Sequence, residues 1–469
     1  MLARPVRLAI IALGVLAALA APAVAPAQTP APETYAGDFW NRPRLTGDWG
    51  GFRDTMAKKG VALDVDWLQL LQGVMSGGRD QDVGYWGTFE YTLNLDTQKM
   101  GLWPGGFLTA YAMSSYGSSV IKDAGALVPV NTAGILPAVA VDEPTTALMK
   151  LTFAQFLTTW VGVVVGKFNT LEGDNNDFAH DYRTQFTNMG LNFNLAAALA
   201  PVSAWGGALV FLPWQGAMIT AGVVDPDGSP TDNGFDHVFE SGVMVTSEAR
   251  FTVKPFGLVG HHLVGGLWSN KDRVALRQDP GNTAELLLVN RFPRLADPGP
   301  LLGRIIDRFF PDLATRPEPL KTKEDTWAVY YNFDQFVWSP AGDPTRGIGV
   351  FFRVGVSDGK VNPIKRHFNV GVSGKGIVPG RPGDTFGVGW SRVGLSDDLI
   401  PELRERLGTG LEREDAVELY YNFAVTKWLG VSLDLQIVDP ALKKDVSSSG
   451  RLKDVDTSVV GGLRAYARF

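Results

Sequence analysis

Ionisable and amide side chains stand at alternate positions inside otherwise apolar runs of this chain. Asp64 and Asp66 lie in "VALDVDW", Glu90 and Asn94 in "FEYTLNLD", and Glu248 and Arg250 in "SEARF". Tyr330, Asn332 and Asp334 lie in "YYNFDQF", Glu418 and Tyr420 in "VELYYNF", and Asp434 in "SLDLQIV". Lys150, Lys167, Arg353 and Arg464 are single charges in comparable surroundings. A second group crowds into "EGDNNDFAHDYR", residues 172–183, which carries Asp174, Asn176, Asp177 and Arg183. These are hydroxyl-binding groups: carboxylates accept, guanidinium and ammonium groups donate, and amides do both. Both signs of charge occur, which suits a neutral polar solute better than a strongly charged one. Covalent chemistry has no comparable support. Cysteine, Gly-x-Ser-x-Gly, His-Glu-x-x-His and the P-loop are all absent. His261 and His262 are adjacent, so on a strand they point to opposite faces and form no two-ligand zinc face. The oxygen density of 172–183 would also suit calcium, but EF-hand spacing is missing. No catalytic residue, cofactor or metal is expected.

The elements that must position these groups are strands. In residues 88–96, Phe89, Tyr91, Leu93 and Leu95 share one face, while Thr88, Glu90, Thr92, Asn94 and Asp96 share the other. Similar alternation places strands near 61–72, 86–96, 107–116, 148–156, 160–168, 204–212, 216–224, 240–254, 260–269, 326–338, 347–357, 366–374, 385–393, 416–426, 430–438 and 458–469. That makes sixteen, an even number, as single-chain bacterial barrels require. The connections alternate in length. One set is mostly short: 97–106, 157–159, 213–215, 255–259, 339–346, 375–384 and 427–429. The other is mostly long: 73–85, 117–147, 169–203, 225–239, 270–325, 394–415 and 439–457, with 358–365 its short member. A soluble sandwich has no reason to sort its loops this way. The expected fold is therefore all-β: a transmembrane antiparallel β-barrel with apolar residues toward lipid and polar residues toward a wet lumen. The strand phases place all the strand residues named above inward.

Two stretches interrupt the pattern. Residues 195–214 are apolar for twenty positions, but Pro201, Gly206 and Gly207 favour a folded-back loop followed by a strand over a spanning helix. "LTGDWGGFRDTMAKKGV", residues 45–61, predicts a short helix over 45–60, capped by Thr46 or Asp48 and closed by Gly60 in the left-handed conformation. Trp49, Phe52 and Met56 form a stripe that would pack on the barrel rim, leaving Arg53, Asp54, Lys58 and Lys59 polar.

The bulk numbers agree. The net charge of -6 and the lack of a basic run give nucleic acid no footing. Arg4 and Arg7, the apolar core 8–21 and "APAVAPA" read as an export signal cleaved after Ala27, with 28–44 a flexible lead-in.

The residues quoted above also resemble a known family. "LTGDWGGFRDTMAKKGV", "YTLNLDTQKMGLWPGG" (91–106), "GKFNTLEGDNNDFAHDYRTQFTNMGL" (166–191) and "ELYYNFAVTKWLGVSLDLQIVDP" (418–440) resemble blocks of the carbohydrate-selective, OprB-like porins of Gram-negative outer membranes. The last residue, Phe469, is the terminal aromatic typical of such barrels. The resemblance implies a sixteen-stranded barrel in the outer membrane for passive diffusion of mono- and oligosaccharides, with the helix on the periplasmic side. Porins of the same build for organic acids or peptides are the alternative, and a barrel enzyme is a weaker one. The long loop 169–203 follows the fifth strand, as does the loop that folds into the barrel of general porins, so its polar residues would rim an eyelet. The expected partners are permeating sugars, outer-membrane lipid and the barrel-assembly machinery acting through Phe469. A homotrimer is one option, although a stable barrel needs no partner.

Overall fold

In a computed structural model the structure describes residues 32–137, 144–174, 176–279, 319–399, 401, 411–446 and 452–469. The export signal at 1–27 and the start of the lead-in lie outside these residues. Sixteen antiparallel strands close into one barrel. In chain order they are β1 (Val61–Gly78), β2 (Val83–Asp96), β3 (Gly106–Gly117), β4 (Thr145–Phe156), β5 (Val161–Asn169), β6 (Ser203–Phe211), β7 (Ala217–Val224) and β8 (Met244–Val253). They continue as β9 (Gly260–Ser269), β10 (Thr326–Trp338), β11 (Gly347–Ser357), β12 (Ile364–Lys375), β13 (Thr385–Leu395), β14 (Arg413–Ala424), β15 (Leu429–Asp439) and β16 (Asp456–Arg468). Each strand pairs with its neighbours in sequence, and β1 closes the ring against β16 with Asp66 opposite Arg468. All sixteen expected segments appear in the expected order.

Burial runs inside out. Leu71, Val165, Leu209, Val264, Val329, Leu419, Leu433 and Leu463 are exposed, whereas Arg353, Glu418 and Arg464 are buried. That inversion is the mark of strands that face lipid. Aromatic pairs cluster on the side of the short turns: Trp103 with Phe153, Trp160 with Phe211, and Trp214 with Phe251. They supply the interfacial girdle that such barrels carry. No helix among the described residues is long and apolar enough to cross a membrane. Residues 195–197 form a single 3₁₀ turn and β6 begins at Ser203, as the breakers in that stretch require.

Two local expectations are corrected. The first outer connection is not the long 73–85: β2 begins at Val83 opposite Gly73, and β1 runs on to Gly78 against β16, leaving only 79–82 between them. The helix α1 is Phe52–Lys58, shorter than 45–60, and Gly51, not Thr46 or Asp48, precedes it without a side-chain cap. Gly60 does close it at φ 84, where a Cβ would sit 2.5 Å from the Asp96 carbonyl oxygen. The packing face is reversed. Trp49 and Phe52 are exposed, and Arg53 is the buried residue. Its guanidinium donates to Leu63 O (2.7 Å), Asp64 Oδ1 (3.0 Å) and Phe469 O (2.9 Å), and it lies 4.1 Å from the Tyr35 ring centroid. Carbonyls and a carboxylate left at the barrel rim need a donor more than they need apolar cover. Tyr35 is buried with it, so the described part of the lead-in is tied to the barrel.

Candidate functional site

The loop 170–202, between β5 and β6, folds into the barrel. Its path is set by asparagines. Asn169, Asn188 and Asn194 each accept the backbone N–H two residues ahead, and Asn176 accepts those of Phe178 and Ala179. Its apolar side chains, Phe178, Ala179, Phe186 and Leu191, pack on Phe336, Phe351 and Tyr420 of the wall. Gly349 makes room for this, since a Cβ there would lie 2.1 Å from the Phe178 ring.

Polar wall residues fasten the loop backbone. Arg353 donates to Asp174 Oδ2 (2.7 Å), Leu191 O (2.7 Å) and Ala179 O. Arg464 donates to Tyr182 O (2.6 Å) and Gln185 O (2.7 Å). Glu418 accepts from the N–H groups of Thr187 (2.6 Å) and Asn188 (2.9 Å), and Asp434 accepts from the Thr187 hydroxyl (3.2 Å). Asn332 donates to Asp174 and accepts from Asn194, while Tyr420 shares a hydrogen bond with Ser373. A charge-assisted bond of this kind contributes about 1.5–3 kcal/mol. Residues 118–137 of the preceding long connection fold inward as well. Glu414 accepts from Leu127 N and Val128 N, and Pro129 O and Thr132 N bond to Met189 N and Thr187 O.

The loop's guanidinium stays open to the lumen. Arg183 bonds Asp181 (2.8 Å), Asp66 (3.1 Å) and Glu90 (3.2 Å), and its side chain keeps 30% exposure. The Tyr182 hydroxyl donates to Glu90 (2.8 Å). Burial alone would raise the Asp181 carboxyl, but Arg183 and then Arg468 outweigh it and hold it below the usual range. On the wall not covered by the loop, Glu248 pairs with Arg250 (3.0 Å) and accepts from Tyr330 (2.7 Å), and Lys150 meets Glu172. Asn94 accepts from Thr109. Between the loop and the short-turn end lies a cavity of about 880 Å³, lined by Asp177, Asp181, Thr184, Lys375, Arg381, Asn422, Lys427 and Arg468 among others. Asp177 also approaches His261 and Asp334.

The structure thus divides the expected pore residues. Asp66, Asn94, Lys150, Arg183, Glu248, Arg250 and Tyr330 keep part-exposed positions on the lumen side, with Asp177 on the loop, while Glu90 is buried beneath Arg183 and Tyr182 and Asp174 is held by Arg353 and Asn332. Asn332, Arg353, Glu418, Tyr420, Asp434 and Arg464 also point inward, but the loop covers them and they serve as its anchors. Asn176 is a buried turn former. Asp334 is buried against His261, and Asp64 is taken by Arg44 and Arg53 at the rim. Lys167 is misplaced. It shares the parity of Val161, Val163 and Val165 and pairs across with Trp205, so it leaves the outer face. There the 225–243 loop covers it, and its ammonium donates to Asp232 O (2.6 Å). Asn175 lies outside the described residues. Tyr182 and Glu172 were not among the named candidates, and the long connection 117–147 was expected without its inward fold; only the asparagine density of 169–194 hinted at a loop with built turns.

Comparison with known proteins gives three further findings. The family model described as carbohydrate-selective porin, OprB family, matches residues 80–469. Porin B of Pseudomonas aeruginosa is 24% identical, over 92% of this chain and 92% of that protein. Two structures of Pseudomonas putida OprB are similar in fold. The one at high pH has a TM-score of 0.71 at 23% identity, covering 92% of this chain and 100% of that one. The one at low pH has a TM-score of 0.55 at 17% identity, covering 92% and 99%.

Proposed function

The chain belongs to the OprB family of carbohydrate-selective porins, outer-membrane sugar channels of Gram-negative cells, and from that premise we propose how sugars pass through it. The path runs between the inner edge of the 170–202 loop and the wall that carries Lys150, Glu248, Arg250 and Tyr330, then out through the 880 Å³ vestibule. The observation that carries this is Arg183. It is a part-exposed guanidinium set among three carboxylates, the one Lys or Arg side chain on a loop most of whose backbone is tied to the wall. A sugar hydroxyl is both donor and acceptor, so it can exchange with either member of each Arg–carboxylate pair at little net loss. Binding of that kind favours entry and still allows exit. The mixed charge disfavours ions of either sign. The groups are tied up in ion pairs with one another rather than set as an activated nucleophile with its base, which supports a passive channel.

The same reading places α1 on the periplasmic side, since it enters the barrel from the short-turn end, after removal of a leader at 1–27. It keeps outer-membrane lipid against the apolar outer face and gives Phe469 to the barrel-assembly machinery as a recognition residue. A homotrimer stays an assembly option within this reading.

Liposome swelling tests the path. Arg183→Gln should assemble, pass monosaccharides several-fold more slowly and discriminate less against small cations, because Asp66, Glu90 and Asp181 lose their shared cation. Unchanged sugar rates in an assembled Arg183→Gln barrel would remove Arg183 from the path.

A further inference from the structure

Asp177, His261 and Asp334 converge on one point of the lumen from three separate segments. Asp177 belongs to the inward loop, His261 to β9 and Asp334 to β10. His261 and Asp334 are direct cross-strand partners, so their side chains leave the sheet side by side on its inner face. His261 Nδ1 lies 2.8 Å from Asp334 Oδ1 and 3.9 Å from Asp177 Oδ2. All three ligand-type atoms fall within 4.8 Å of one another. Metal–ligand bonds of about 2.0–2.2 Å place tetrahedral ligands ~3.4 Å apart, so the His261–Asp334 pair at 2.8 Å opens and Asp177, at 3.9 Å from His261, closes by about half an ångström each when an ion binds.

The surroundings hold these groups in place before any ion arrives. Asn176 donates to Phe333 O (3.2 Å), next to Asp334 in the chain, and its carbonyl accepts Phe178 N and Ala179 N (3.0 Å each). Gln185 donates to Asp177 O (2.8 Å). Phe178 packs edge-on against Phe336 at 4.7 Å between centroids. Asp177 is therefore locked beside β10 on both sides of its own backbone. Asp334 is buried, while Asp177 and His261 each keep 34% side-chain exposure. One side of the cluster is closed by protein and the other faces lumen water. Three protein ligands with one solvent-facing position is the arrangement of an open metal site. Two carboxylates this close repel each other, and a divalent cation offsets that repulsion.

We propose that Asp177, His261 and Asp334 form a binding site for a divalent transition-metal ion of the zinc class. The imidazole nitrogen selects against calcium and magnesium, which take oxygen donors and need more of them than this cluster holds. The bound ion clips the 170–202 loop to the β9–β10 wall, beside the vestibule and away from Arg183. The site is independent of which solute the channel carries.

Isothermal titration of zinc chloride into the full-length, chelator-washed barrel in detergent tests this. Heat-modifiability first confirms that each variant is folded. Wild type should bind one zinc ion, and excess calcium should not displace it. His261→Gln and Asp177→Asn should each lose more than about tenfold in affinity. His262→Gln changes the neighbouring ring on the lipid-facing side and should bind as wild type does. Absence of zinc binding by wild type, equal binding by folded His261→Gln and Asp177→Asn, or displacement by calcium would overturn the proposal. Sugar flux is not part of the readout, so none of these outcomes bears on the permeation path.

Discussion

The Arg353 guanidinium is fully buried, yet it belongs to the lumen face of its strand. Alternation reports which face a side chain leaves from, and Val354 beside it is exposed toward lipid as that rule demands. It does not report what later covers that face. Arg353, Glu418 and Arg464 were legible as inward residues, but their use as anchors was not, because their partners are loop carbonyls and N–H groups far away in sequence. Lys167 shows a different failure, since its parity with Val165 was readable and the charge outweighed it. Breaking a buried pair by removing one partner costs about 3–5 kcal/mol; here Asp174 would keep only Asn332, and the Leu191 and Ala179 carbonyls would lose their charged donor. Arg353→Ala should therefore free the 170–202 loop without dissolving the barrel. Single-channel recordings should show higher, noisier conductance. Quiet conductance equal to wild type would mean that Arg353 does not hold the loop.

At the scale of elements, the strands were readable and their ends less so. Period-2 alternation fixes a strand wherever one face is wet and the other is not. It fades where both faces meet water, which is why β1 and β2 extend outward past the expected 72 and 86. The helix α1 existed where Gly60 and the polar spacing indicated, but amphipathic reasoning chose the wrong face. The barrel rim offers α1 the Leu63 and Phe469 carbonyls and the Asp64 carboxylate, the lead-in adds the Tyr35 ring, and Arg53 meets them all. Arg53→Ala should cost the N-terminal segment about 3 kcal/mol of docking, from charged hydrogen bonds and a cation–π contact. Chymotrypsin should then cut after Trp49 or Phe52 many times faster, while the barrel stays heat-modifiable. Cleavage at the wild-type rate would show that the segment is held by other contacts.

At the scale of the whole molecule, sixteen strands, alternating loop lengths and inverted burial all point to one object, a barrel with lipid outside and water inside. That much was legible because it repeats around the ring. The constriction does not repeat. It depends on two loops, 118–137 and 170–202, docking on strands up to 306 residues away, and no local pattern encodes such a contact. Its chemistry was half visible, since the polar density of 172–183 marked the right segment while Arg183 and Asp177 stay part-exposed there and Asp174 is held by Arg353 and Asn332. The central claim is that this constriction holds neutral sugars briefly on their way through. The most direct test is single-channel conductance of the purified protein in a planar bilayer, with glucose, a maltose-type oligosaccharide and a charged organic solute added in turn. The account predicts a reversible, concentration-dependent reduction of ion current by sugar and little response to the charged solute. Current indifferent to every sugar, from a correctly folded barrel, would contradict it.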